Sequence, residues 1–131
     1  MTTDTNAETA GKLLPRLPVE RALKVLAGRW KAFILVHLHE AGSLRYTALR
    51  ERLDGISDRV LVRQLAELHG HGLIERRADP GAARRVDYRI TPLGAALVPL
   101  IFGLCDWGRR HAAEQEVAGR ERRCSDAYGE R

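Results

Sequence analysis

The chain has 131 residues, a length that fits one domain with one core. Apolar residues at 44% and charged residues at 30% argue against wholesale disorder. The formal net charge of +5 and isoelectric point near 9.8 permit an anionic partner, nucleic acid above all, without demonstrating one.

Residues 1–16 form a polar arm, expected to be loosely ordered and flexible. It lacks the apolar core of a signal sequence, so a cytoplasmic protein is expected. Pro18 suits a first helical turn, and Val19, Ala22, Leu23 and Leu26 keep helical spacing up to Gly28. "RWKAFILVHLHEAG" reads as a central helix ended by Gly42. Its run "FILVHL" is too short to span a bilayer, so no membrane partner is expected. "SLRY" is short and extended, and Thr47 is placed to cap a brief helix over "ALRERL". "DGIS" is a turn in which Gly55 is free to take positive φ and Ser57 to cap the next helix, about 58–70.

That helix closes at Gly70 and Gly72. "LIERRA" and "RVDYRI" have strand character on either side of the turn "DPGAAR", a hairpin. Thr91 then caps a long final helix with Pro92 at its first position. The order predicts a mainly helical α+β fold, a winged helix-turn-helix with a two-stranded wing. Another small α+β domain is the rival. The domain is expected over 17–113, followed by a disordered polar tail over 114–131.

In "SDRVLVRQLAELHGHGLIERR" (57–77), Leu61, Leu65 and Leu68 fall within about 60° at 3.6 residues per turn. Arg59 and Arg63 lie one turn apart on the far side, flanked by Val60 and Val62. Arginine bridges two acceptors on guanine in the major groove, and small apolar groups meet thymine methyls. Ser57 is placed to reach a phosphate. A solvated helix with two arginines is the plain alternative; the turn before it and the hairpin after it favour DNA contact. In the hairpin, Arg76, Arg77, Arg84 and Arg85 face one acid, Asp79. Such a ribbon grips the backbone or enters the minor groove.

His37 with His39, and His69 with His71, form two H-x-H pairs. Residues two apart on a helix point about 200° from each other and share no metal, and the second pair straddles a helix end. Structural or surface roles are expected, and no metal. Cys105 and Cys124 are read as unpaired, reduced thiols. No nucleophile–base set, phosphate-cradling loop or carboxylate pair points to an enzyme or a cofactor.

Leu93, Leu97, Leu100, Leu104, Trp107 and His111 recur at spacings of 4, 3, 4, 3 and 4, a heptad seam. One small domain needs only part of such a stripe. The surplus suggests the same helix of a second copy, although packing within a monomer is the alternative. Pro99 interrupts the seam and is expected to kink it.

"PVERALKVLAGRWKAFILVHL", "RYTALRERLDGISDRVLVRQLAELHGHGLIERR", "RVDYRITPLGAAL" and "LCDWGRRH" together resemble the HxlR family of bacterial transcriptional regulators, from about residue 17 to His111. Trp30-Lys31, Gly55-Ile56-Ser57, the Tyr88–Gly94 segment and Trp107-Gly108 are specific in combination. The resemblance implies a winged-helix homodimer that binds double-stranded promoter DNA, as repressor or activator, with dimer contacts from its first and last helices. It places Ser57, Arg59, Val60, Arg63 and Gln64 in the recognition helix, and Arg84 and Arg85 in the wing. Many members carry a cysteine just before the Pro-Val of the first helix, in some of them a sensor of oxidants. Here Leu17 stands there, which removes thiol sensing at that site.

The leading expectation is a homodimeric repressor on a near-palindromic promoter site. A winged-helix module that meets an acidic protein is the alternative. A small-molecule effector is compatible with the first, although no ligand pocket is legible.

Overall fold

The computed structural model describes residues 18–78, 81 and 85–126. The elements are α1 (Pro18–Val25), α2 (Lys31–Ala41), β1 (Ser43–Arg45), α3 (Tyr46–Arg52), α4 (Asp58–Gly70), β2 (Ile74–Ala78), β3 (Val86–Ile90) and α5 (Pro92–Asp126). Their order is the one predicted from turn and cap residues. The chain divides into two compact units between Ala95 and Ala96, within α5.

In the first unit the core is drawn from Ile34, Leu35 and Leu38 of α2, Leu49 of α3, and Leu61, Leu65 and Leu68 of α4. Leu44, Leu53, Ile56, Leu73, Ile74 and Tyr88 close it. Each such leucine contributes about 1.5–3 kcal/mol by leaving water. By contrast α1 buries no side chain, and Val19 and Leu23 on it are each 60% exposed.

The sheet has three antiparallel strands in the order β1–β3–β2: the two expected wing strands and the short extended segment at "SLRY", which joins them. Ser43–Arg45 pairs along β3, with Leu44 opposite Tyr88, and Ile74 of β2 faces Ile90. Three residues show no readable period, and their partner lies far along the chain. The start of α3 also differs from expectation: it begins at Tyr46 after Arg45, with no side-chain cap, so Thr47 lies inside the helix.

α4 ends in a Schellman motif, with Leu73 N–H donating to the Leu68 carbonyl and Gly72 N–H to that of His69. Thr91 joins this turn to α5. Its hydroxyl donates to the Gly72 carbonyl at 2.7 Å and accepts from Gly94 N–H at 3.0 Å, the predicted N-cap. Gly94 is there for closeness. A Cβ on it would sit 2.2 Å from the Leu73 carbonyl oxygen and 2.8 Å from Ile90 Cγ1.

The second unit is α5 from Ala96 onward, and it passes through Pro99 without ending. It runs to Asp126, beyond residue 113, where the sequence reading begins a disordered tail. "EQEVAGRERRCSD" is rich in helix formers and lacks proline, and Arg110 Nε reaches Glu114 Oε2 at 3.2 Å one turn on. Propensity and local pairing extend the helix where no apolar period signals it. The arm over 1–16 and the wing residue Arg84 lie outside the described residues.

Candidate nucleic-acid interface

The helix-turn-helix is α3, a turn and α4. Gly55 takes φ +90° in the turn, a conformation that side chains with a Cβ rarely adopt. Ile56 beside it is buried and anchors the turn to the core. Ser57 caps α4 as predicted, its Oγ accepting from Val60 N–H at 3.2 Å.

Two polar attachments hold α4 to its neighbours. On the outer side, Asp58 Oδ1 accepts from the Tyr46 hydroxyl at 2.6 Å and lies 3.0 Å from Arg50 Nε. Burial first, then the hydrogen bond to Asp58, push the Tyr46 phenol up to about 12. On the inner side, Lys31 Nζ lies 2.5 Å from Glu67 Oε1 and donates to the Ala27 carbonyl at 3.2 Å. Lys31 is buried and its partner is 44% exposed. The hydrogen bond and charge of Lys31 hold the Glu67 carboxyl below its ordinary value. Lys31 of the Trp30-Lys31 pair, noticed in the sequence without a role, therefore anchors α4. Trp30 also packs against Phe33 and lies under the Arg29 guanidinium.

The faces of α4 separate as the leucine spacing predicts. Leu61, Leu65 and Leu68 are buried, and Ser57, Arg59, Val62 and Arg63 are exposed. Val62 is 56% exposed, an apolar side chain left facing outward, and Val60 is half-buried. Gln64 is a correction. Expected on the reading face, it is only 7% exposed. Its position explains this: it stands three residues after Leu61 and four before Leu68, inside the buried stripe. Its Oε1 is buried without a hydrogen-bond partner among the described residues.

In the wing, Arg76, Arg77 and Arg85 are exposed. Consecutive strand residues point to opposite faces, so Arg76 and Arg77 do not share one. Arg76 lies on the side of its cross-strand partner Tyr88, and Arg77 pairs in register with Asp87. Asp87 is also the cross-strand partner of Arg45, whose Nε lies 3.9 Å from its Oδ1. Summing these arginines along the sequence hides that division, and neither it nor the Tyr46–Asp58–Arg50 cluster was read from the chain. Tyr46 and Arg50 at helical spacing, followed by an acid at the start of the next helix, were the available signal.

Along the seam, Leu93, Leu100, Leu104 and Trp107 are 57–62% exposed, His111 is exposed and Leu97 half-buried. Trp107 and His111 stack with ring centroids 4.9 Å apart. Cys105 is exposed and unpaired. Among the described residues no group of three His, Cys, Asp or Glu could hold a metal, and no helix is long and apolar enough to cross a membrane.

The HxlR-like helix-turn-helix family model matches residues 25–116. The chain is 37% identical over 101 residues to an HTH-type transcriptional regulator of Methanothermobacter thermautotrophicus, covering 77% of this chain and 76% of that one. Among solved structures it is similar to the redox regulator HypR in its reduced form, at 30% identity and TM-score 0.70, over 77% of this chain and 99% of that one. It is also similar to the putative transcriptional regulator YtfH of Salmonella typhimurium, at 33% identity and TM-score 0.65, over 80% and 92% of the two chains. Turn, exposed basic helix, sheet and relatives agree: the chain belongs to the HxlR-like helix-turn-helix family, whose members are DNA-binding transcriptional regulators rather than enzymes.

Proposed function

We propose that the protein represses transcription by binding a near-palindromic promoter site as a homodimer. The outward face of α4 carries this reading, with Arg59, Val62 and Arg63 exposed on the side opposite the buried leucines. The first half of α4 enters the major groove, where the arginines meet guanine and the valines meet thymine methyls. Ser57 positions the helix end, and Arg76, Arg77, Arg84 and Arg85 of the wing hold the backbone.

Two uncovered apolar faces support the dimer. α1 presents Val19 and Leu23, and α5 presents Leu100, Leu104 and Trp107. Covering them with a second copy removes apolar surface from water and duplicates the reading helix, matching a two-fold operator. The protein acts in the cytoplasm, where its family's DNA-binding role is exercised.

The test is fluorescence anisotropy with a duplex enriched from a random library on the protein, and with a scrambled duplex. Log K should fall linearly with log salt for both, and the enriched duplex should bind more tightly. Arg59→Ala or Arg63→Ala should cost about 1–3 kcal/mol on the enriched duplex and relax its sequence preference. Equal affinity for all duplexes at every salt concentration overturns the sequence-specific reading. Capture of an acidic protein that survives nuclease treatment, with no duplex bound, would favour an interaction module instead. Light scattering reads the dimer, and a promoter–reporter fusion whose output rises on deleting the protein reads repression.

A further inference from the structure

The cluster at the start of α4 is not explained by folding alone. Asp58 is 60% exposed and Arg50 is 52% exposed, and an exposed ion pair contributes little to stability. Two donors nevertheless converge on one carboxylate oxygen: the Tyr46 hydroxyl at 2.6 Å and Arg50 Nε at 3.0 Å. Tyr46 and Arg50 lie one turn apart on α3, and Asp58 is the first residue of α4. The contact therefore spans the turn and fixes a side chain of one helix against the end of the other.

Which nitrogen Asp58 takes matters. An arginine held at Nε turns the edge formed by its two Nη groups toward a further acceptor, and that edge matches two phosphate oxygens. In helix-turn-helix docking the first helix crosses the DNA backbone while the second enters the groove. Arg50 is on that first helix. We infer that Arg50 is a phosphate ligand of this face, and that Asp58 and Tyr46 are the positioning residues that aim it. This rests on the reading of α4 as the groove helix and adds a backbone contact beside it.

The carboxylate has a second consequence. An acid beside the reading face would repel DNA, but here its charge is spent on Arg50. Nor is Oδ1 open to read a cytosine amino group, since it already meets two donors. The phenol of Tyr46, pushed up to about 12, keeps its proton and stays a donor throughout the neutral range.

The test uses the full chain and the enriched and scrambled duplexes described above, across a salt series. Arg50→Ala should weaken both duplexes by the same factor, about tenfold. It should also reduce the salt slope by about 0.9 for each phosphate released. Asp58→Asn should weaken both by a smaller, equal factor, although it removes a negative charge near the DNA. Tyr46→Phe should act in the same direction, less strongly. In the Arg50→Ala background Asp58→Asn should cause no further loss, because Asp58 acts through Arg50. Thermal midpoints of Arg50→Ala and Asp58→Asn should stay close to that of the parent, a readout that separates aiming from folding.

Tighter binding by Asp58→Asn overturns the inference, because Asp58 would then be a bystander charge. A changed base preference in that variant overturns it too, because Asp58 would be reading a base. Unchanged affinity and slope in Arg50→Ala, with Arg59→Ala still impaired, rejects the inference and leaves the groove reading intact. Loss in neither Arg50→Ala nor Arg59→Ala rejects both.

Discussion

α4 and α5 carry the same apolar signal and meet opposite fates. In α4 the leucines at 61, 65 and 68 are at most 2% exposed. In α5 the residues at 100, 104 and 107 are 57–62% exposed. Helical spacing of leucines states that a stripe must be covered, but not by what. α4 is covered by its own chain, and the stripe of α5 is left exposed. Under the proposed dimer, the first stripe serves folding and the second assembly.

The same substitution should therefore break different things on the two helices. Leu65→Ala empties a filled core site and should cost about 2–5 kcal/mol, read as a lower midpoint in chemical or thermal unfolding. Leu104→Ala should change the stability of the isolated chain by within about 0.5 kcal/mol, as exposed positions do. Its effect should appear instead as a shift from dimer to monomer in light scattering at falling protein concentration. A large loss of folding stability at Leu104 in dilute monomer would erase the contrast.

Gly94 tests the junction where α5 leaves the first unit. Gly94→Ala drives a methyl into the Leu73 carbonyl, a backbone atom that no rotamer change removes. Forced repacking of this kind costs about 1–3 kcal/mol. Gly103→Ala, where an added Cβ meets nothing within 4 Å, is the matched control and should hold or slightly raise stability. Equal midpoints for the two variants would mean that the α5 start does not press on the turn.

Much of this was legible from single residues with strong local preferences. Ser57 and Thr91 cap the helices assigned to them, and Gly42 and Gly55 take the positive φ values that end α2 and form the turn. What escaped needed a partner distant in sequence. The extended character of Ser43–Arg45 was legible but not its pairing with β3, and Lys31 becomes an anchor only because Glu67 reaches it. Gln64 escaped for another reason: the family resemblance put it among the recognition-helix residues, while its place in the helical period put it in the buried stripe. Position within the helix decided its fate. The leucines of α5 were readable as a seam, yet no residue in them says whether the cover is this chain or another.

A smaller effect should come from the cap of α4. Ser57→Ala removes the acceptor of Val60 N–H and should cost about 1 kcal/mol. Ser57→Asp, which keeps an acceptor, should recover most of it. No such loss is expected on α3, where Thr47 caps nothing: Thr47→Ala should leave the midpoint near the parent value.

Dependence on pH should separate the inner and outer anchors of α4. Glu67, held below its usual value by Lys31, has a folded pKa lower than its unfolded one. Its contribution is complete above the unfolded value of 4.5 and fades as pH falls through the folded value. Tyr46 runs the other way. Its pKa rises on folding from 10.0 to about 12, so its contribution is complete below pH 10.0 and is lost as pH climbs toward about 12. Thermal midpoints across pH should therefore lose part of their acid limb in Glu67→Gln and part of their alkaline limb in Tyr46→Phe. Glu67→Gln should also lower the neutral plateau, since it leaves the buried Lys31 ammonium without its counter-charge. Each variant moving only its own limb would establish two independent anchors on one helix. Both limbs moving together would make them one coupled unit, and the outer cluster could then not be altered without disturbing the core.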